Sequence, residues 1–211
     1  MIFSQDALMS AMSPIFFSLK GENVLLKKSR FIDSIGKKEL SEDITLIDNP
    51  FESNNKAFFD SEGNNSKKTI LVKKGVINSF IHDNFTSEKL GSKNTNNSAS
   101  IMSKPSTAFN YLELKGKDKL KDMISGIKKG FMLYDMYPSH TINPTTGAFG
   151  QNSSSFYYIE NGEIKGLCKG YVVSANSYEI FKNVQSVSKE ARNDQGSKMG
   201  AIKTFAQILK N

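Results

Sequence analysis

The sequence predicts an α+β fold built mainly on antiparallel sheet, and three observations carry that reading. Apolar runs are joined by turn dipeptides at Lys74-Gly75 and at Asn161-Gly162, the second suited to the positive φ values of a type I′ hairpin turn. Apolar residues recur at helical spacing in about three separate segments. Strands and helices do not alternate regularly, which argues against a doubly wound sheet. With 211 residues and 38% hydrophobic content the chain can bury one sizeable core, so a single domain over residues 1–211 is expected.

Taken in order, residues 4–19 read as an opening helix, because Leu8, Met12, Ile15 and Leu19 share a face. Ser4 can cap its start, Pro14 should kink it and Gly21 can end it. The following stretch, NVLLKKSRFIDSIGKKELSEDITLIDNP, suggests short strands closed by a proline turn. In TILVKKGVINSFIHD two strands flank Lys74-Gly75. The polar segment GSKNTNNSAS at residues 91–100 has almost nothing apolar to bury and reads as a mobile loop. A second helix is expected over residues 117–129, with Leu120, Ile124 and Ile127 on one stripe and Gly130 as its stop. The hairpin SFYYIENGEIKGLC should set Ile159 opposite Ile164, Phe156 opposite Leu167 and Glu160 opposite Glu163. A third helix near NSYEIFKNV would bury Ile180, Phe181 and Val184, and the tail AIKTFAQILK fits either a helix or a strand.

Net charge is +7, from 28 basic and 21 acidic residues, but the basic ones lie in scattered pairs such as Lys27-Lys28 and Lys67-Lys68. That spread reads as solvated surface, and no aromatic-studded basic stripe or reading helix supports nucleic-acid binding. The single cysteine, Cys168, excludes an internal disulfide and points to a reducing compartment, so the cytoplasm is expected. No run approaches the ~20 apolar residues of a membrane span, and the start lacks the basic region of a secretory leader.

Several chemistries can be set aside. A phosphate loop needs glycines opening a helix beside Lys-Ser or Lys-Thr, whereas TTGAFG has no such lysine and leads toward a strand. GAFG also lacks the Rossmann spacing. His82, His140 and Cys168 share no metal-ligand spacing, and each reads as an ordinary strand or loop residue. No nucleophile elbow of the G-x-S-x-G type is present. Asp60 and Glu62 lie two residues apart and could form an acid/base pair, although the acidic pair before Gly63 also makes an ordinary turn, which is favoured.

In order, SRFIDSIGKKE, ITLIDNP, FFDSEGNNSKKTILVKKGVINSFIHD, TSEKLGSKNTNNSAS, DKLKDMISGIKKGFML, NPTTGAFGQNSSSFYYIENGEIKG and NSYEIFKNV together resemble the C-terminal half of the TldD/PmbA family, the so-called modulators of DNA gyrase. Within that family the chain is more similar to the metal-free PmbA or TldE type. The resemblance implies pairs of subunits, one a zinc metallopeptidase and the other without the metal site. The active type carries an H-E-x-x-x-H helix just before the segment that matches SRFIDSIG. Here ALMSAMSPIFFSLKG, residues 7–21, occupies that place and contains neither His nor Glu. The active type's further cysteine ligand near its C-terminus has no counterpart, since Cys168 lies upstream in the hairpin.

The same resemblance places Asp60, Glu62 and Gly63 in a family D-x-E-G motif, and Asn143, Thr146 and Gly147 in a family loop. These six are the candidate positions near a partner or peptide, with no catalytic and no metal-binding residue expected in this chain. Thr95, Asn96 and Asn97 stand where the family usually has a Thr-Gly pair, and Asn accepts positive φ less freely than Gly. Family members are about twice as long, with an N-terminal domain that this sequence does not show.

The leading expectation is therefore a non-catalytic subunit or domain of a cytoplasmic zinc-peptidase complex. It would pair with a TldD-like zinc-bearing subunit, hold no cofactor itself, and help enclose an unfolded peptide. Other readings stay open at this stage: a basic DNA-associated module, a truncated non-functional family copy, and a hydrolase using Asp60 and Glu62.

Overall fold

A computed structural model describes residues 1–52, 56–100, 106–136, 142–152, 155–194 and 196–210; His140 lies outside the described residues. The chain divides into two compact units. The first comprises Met1–Ile15, Lys115–Arg192 and Met199–Asn211, and the second Phe16–Leu114 and Asn193–Lys198.

The opening segment breaks where a kink is expected. Strand β1 (Ile2–Phe3) leads to Ser4, whose hydroxyl accepts the Ala7 amide at 3.4 Å and starts helix α1 (Gln5–Ala11). Helix α2 (Ser13–Ser18) then begins anew with Pro14 in its first turn, where a missing N–H leaves no helical bond unmade. Gly21 does not end this run but opens helix α3 (Gly21–Leu25). The stretch expected to hold several strands therefore starts helical and yields one named strand, β2 (Leu46–Asp48).

Strands β3 (Thr69–Lys73) and β4 (Val76–Ile77) flank Lys74 and Gly75 as expected. Helix α4 (Asn84–Leu90) follows; Asp83 and Thr86 form a reciprocal cap at its start, and Gly91 ends it in the left-handed region. Strand β5 (Leu112–Leu114) precedes helix α5 (Leu120–Ser125), which is shorter than the expected 117–129. It stops at Gly126 because strand β6 (Lys129–Leu133) claims the next residues, Gly130 included. Tertiary packing outweighs helical spacing here: Met123, Ile127 and Met132 all bury against Ile2, Ile159 and Ala201.

The remainder is strand-rich: β7 (Ala148–Asn152), β8 (Phe156–Glu160), β9 (Glu163–Cys168) and β10 (Tyr171–Asn176) come first. Helix α6 (Ser177–Lys182) buries Ile180 and Phe181 as the spacing predicts. The tail resolves into strands, β11 (Ser186–Asp194), β12 (Ser197–Lys203) and β13 (Gln207–Lys210). The described residues thus form six helices where about three are expected. The extra ones are single short helices of five to seven residues, held by packing and, in α1 and α4, by side-chain caps rather than by long periodic stripes.

In the first unit, β12, β1, β6, β8 and β9 lie side by side, while β13, β10 and β7 make a separate three-stranded sheet. In the second, β4, β3, β2 and β5 are neighbours, and Ser197 and Lys198 of β12 pair with Leu112 and Glu113. Most pairs are antiparallel, but β1–β6 and β12–β5 are parallel, so the sheet is mixed.

The β8–β9 hairpin turns through Asn161 and Gly162 at φ +51° and +78°. Ile159 opposes Ile164 and Glu160 opposes Glu163, as expected. Phe156, however, faces Cys168 rather than Leu167, because the register shifts between Tyr158 and Ile159 and leaves Lys165 as the extra residue. Lys165 meets Glu163 at 2.5 Å and Lys129 meets Glu160 at 3.9 Å, so each carboxylate of the like-charge pair has its own cation.

Candidate functional site

The opening helical segment, residues 7–21, is apolar on its buried side. Ala7, Leu8, Ala11, Met12 and Ile15 are fully buried. Its polar groups serve the backbone, with Ser13 Oγ donating to the Ser10 carbonyl at 2.8 Å and Ser4 Oγ donating to the Tyr134 carbonyl. Zinc requires imidazole, thiolate or carboxylate donors, and residues 7–21 supply none. The nearest carboxylates along the chain are engaged: Asp6 pairs with Arg192 at 3.3 Å, and Glu22 accepts the Thr107 hydroxyl. Among the described residues no three His, Cys, Asp or Glu side chains are grouped to hold a metal. These residues do not fit a zinc site.

Asp60, Glu62 and Gly63 share one turn in the second unit. Asp60 Oδ1 accepts the amides of Glu62 at 3.0 Å and Asn64 at 2.9 Å, and Oδ2 accepts the Ser98 amide at 3.2 Å. Glu62 Oε2 accepts the Asn84 amide at 3.0 Å, at the start of α4 where a negative charge is favoured. Gly63 has φ +79° with open space around its missing Cβ. Both carboxylates therefore organise backbone, as a structural turn requires.

Asn143, Thr146 and Gly147 sit together in the first unit. Asn143 Oδ1 accepts the amides of Thr145 at 3.0 Å and Thr146 at 2.9 Å, and its carbonyl accepts the Gly147 amide at 2.8 Å. Asn176 caps α6 through the Tyr178 amide and donates to the Thr146 carbonyl at 2.7 Å. Gly147, at φ +75°, lies under Tyr178: a Cβ there would come within 2.6 Å of the ring. The loop anchors α6 and leads into β7; it opens no helix that could cradle a phosphate.

The loop at residues 91–100 contains no helix and no named strand beyond Leu90, yet it is not loosely solvated. Thr95, Asn97 and Ser98 are buried. Asn97 Nδ2 donates to Asp48 at 2.6 Å, and Asp48 also accepts the amides of Asn110 at 2.8 Å and Tyr111 at 2.9 Å. Burial pushes the Asp48 carboxyl above its ordinary range, against these hydrogen bonds. Asn96 takes the left-handed conformation at φ +61°, a backbone position that asparagine tolerates better than most residues other than glycine.

His82 stands behind that loop and is buried. Its Nδ1 lies 3.3 Å from Thr86 Oγ1, which donates its only proton to Asp83 at 2.6 Å; Nδ1 therefore carries a hydrogen and Nε2 is left as the acceptor. Desolvation lowers its pKa, partly offset by Asp83 and Glu22. The ring is a structural member of the capping network. Cys168 ends β9, half-buried opposite Phe156.

Sequence reasoning missed a pocket of about 640 Å³ in the second unit, with His82 and Phe80 in its wall. Val24, Leu25, Ile32, Ile35 and Leu90 add apolar surface, and Lys27 and Lys93 stand on its lining. Three separate chain segments build it, so no local pattern announces it. Helix α4, which contributes Leu90, had a readable signal in Asp83, Thr86 and Gly91.

Comparison with known proteins places this geometry. Residues 1–206 match the PmbA/TldA metallopeptidase C-terminal domain. TldE from Thermococcus kodakarensis shares the fold over 100% of this chain and 49% of its own, with a TM-score of 0.89 and 27% identity. A modulator of DNA gyrase from Thermotoga maritima matches 99% of this chain and 49% of its own at a TM-score of 0.90, and at 19% identity shows the fold alone. A metalloprotease TldD homolog from Buchnera aphidicola is 28% identical over 186 residues, which is 85% of this chain and 37% of that protein. The chain spans half or less of the length of these relatives. It belongs to the PmbA/TldA metallopeptidase C-terminal domain family.

Proposed function

We propose that this chain is the non-catalytic member of a two-subunit zinc peptidase of the cytoplasm. It pairs with a TldD-like subunit that bears the zinc on an H-E-x-x-x-H helix, and together they enclose an unfolded peptide. The observation that carries this reading is the α1–α2 segment, which holds helix geometry at the ligand position while offering only apolar and hydroxyl side chains. The likeness to a TldE structure over the whole chain supports it.

This chain contributes surface rather than chemistry. Strand β9 lies at the end of its sheet with Ile164 46% and Leu167 51% exposed, so its outer edge suits an extended peptide joining through main-chain hydrogen bonds. Such recognition asks little of the peptide sequence but requires it to be unfolded. Among the described residues no helix is long and apolar enough to cross a membrane.

Co-expression with an H-E-x-x-x-H relative tests the reading. A stable complex is expected, with peptide hydrolysis that depends on both chains. If the two chains purify apart and hydrolysis by the relative is indifferent to this one, the proposal fails.

A further inference from the structure

We propose that the second unit carries a docking groove for a peptide segment whose apolar centre is flanked by acidic side chains. The groove joins two depressions. The pocket of about 640 Å³ meets a second of about 400 Å³, and both are lined by Asn78, Ser79 and Lys93. Each depression lies within the roughly 300–1,000 Å³ range of ligand pockets, room for several side chains.

The chemistry of the wall selects the occupant. Val24, Leu25, Ile32, Phe80 and Leu90 provide an apolar floor, and Ile35 stands at 51% exposure on its rim. Four lysines, Lys27, Lys67, Lys68 and Lys93, face a single carboxylate, Asp33. Among the described residues none of these lysines has an ion-pair partner. Lys67 donates to the Asn94 carbonyl, and burial together with Lys93 holds its pKa below the ordinary lysine value. Unneutralised cations gathered around apolar surface complement an anionic, apolar chain. A nucleic acid would meet the cations but no exposed aromatic ring on which to stack its bases, since Phe80 and His82 are both buried.

This groove goes beyond the pairing proposed above, and its test needs no partner subunit. Fluorescence anisotropy on the purified 211-residue chain would use a labelled, disordered peptide of leucine and phenylalanine flanked by glutamates. Three controls accompany it: the same core flanked by lysines, a glutamate–serine peptide without apolar residues, and an unlabelled oligothymidine as competitor. Saturable binding of the first peptide alone is expected. Lys27→Glu with Lys93→Glu should weaken it by about tenfold or more, and Ile35→Ser several-fold. Lys121→Glu, on α5 of the other unit, should leave it unchanged. Urea melts of each variant exclude loss of fold as the cause. Absence of binding, equal binding of the lysine or glutamate–serine peptide, displacement by oligothymidine, or indifference to the charge reversals would each overturn the proposal.

Discussion

The Asp60 turn of the second unit and the Asn143 loop of the first look alike in sequence and differ in what holds them. In both, a side-chain oxygen at the first position accepts two amides two to four residues on. Gly63, however, is needed only for its φ of +79°, with nothing within 4 Å of a Cβ. Gly147 is needed twice over, for φ +75° and for the Tyr178 ring pressed against its backbone. Conversely, Asp60 reaches across to Ser98, 38 residues away, whereas Asn143 serves only its own loop. Loops rich in carboxylate, amide and glycine can thus be wholly occupied with their own conformation. Here the polar groups that suggest chemistry are spent on architecture.

The contrast can be broken by substitution. The largest effect is expected at Gly147→Ala, about 3 kcal/mol in urea denaturation, since a left-handed alanine and displacement of an aromatic ring add together. Asp60→Ala comes next at about 2 kcal/mol, because amides at 62, 64 and 98 lose their acceptor. Asp60→Asn keeps an acceptor and should lose less than half of that, with partner-dependent hydrolysis unchanged; a collapse of hydrolysis would give the carboxylate a chemical role. Gly63→Ala should cost about 1 kcal/mol, clearly less than Gly147→Ala, and equal values for the two would remove the distinction.

A pH dependence sharpens the picture behind the Asp60 turn. His82 has its pKa lowered by burial, so between its ordinary value of 6.5 and its folded value the unfolded chain binds a proton that the folded chain refuses. Its contribution to stability is fully present above 6.5 and is lost as the solution is acidified through that window. Urea midpoints between pH 7.5 and 5 should fall in the wild type, and His82→Gln should flatten the fall. An unchanged slope would place the burden elsewhere.

How much of this was legible follows from how local each cause is. The Asn161-Gly162 turn and the Ile159–Ile164 pair could be read because a dipeptide sets the hairpin and period-two spacing sets its first pair. One extra residue at Lys165 defeated the same reasoning a few positions on, since a bulge leaves no distinct mark in composition. The polar segment at residues 91–100 is a loop as expected, but its composition does not show that Thr95, Asn97 and Ser98 are buried, because the anchor of Asn97, Asp48, lies 49 residues away. A two-residue strand such as β1, paired in parallel with β6, carries too little pattern to be seen at all. At the candidate site, the lack of ligands in residues 7–21 was legible because it needs only residue identity. The lysine-rimmed groove was not, because Lys27, Lys67 and Lys93 converge only through the fold.

The zinc content of the isolated, purified chain, measured by mass spectrometry alongside its peptidase activity, tests the central claim most directly. A segment with no imidazole, thiolate or carboxylate between residues 7 and 21 should leave the chain essentially free of zinc and inert toward peptides. Stoichiometric zinc that survives dialysis, together with unaided peptide cleavage, would contradict it.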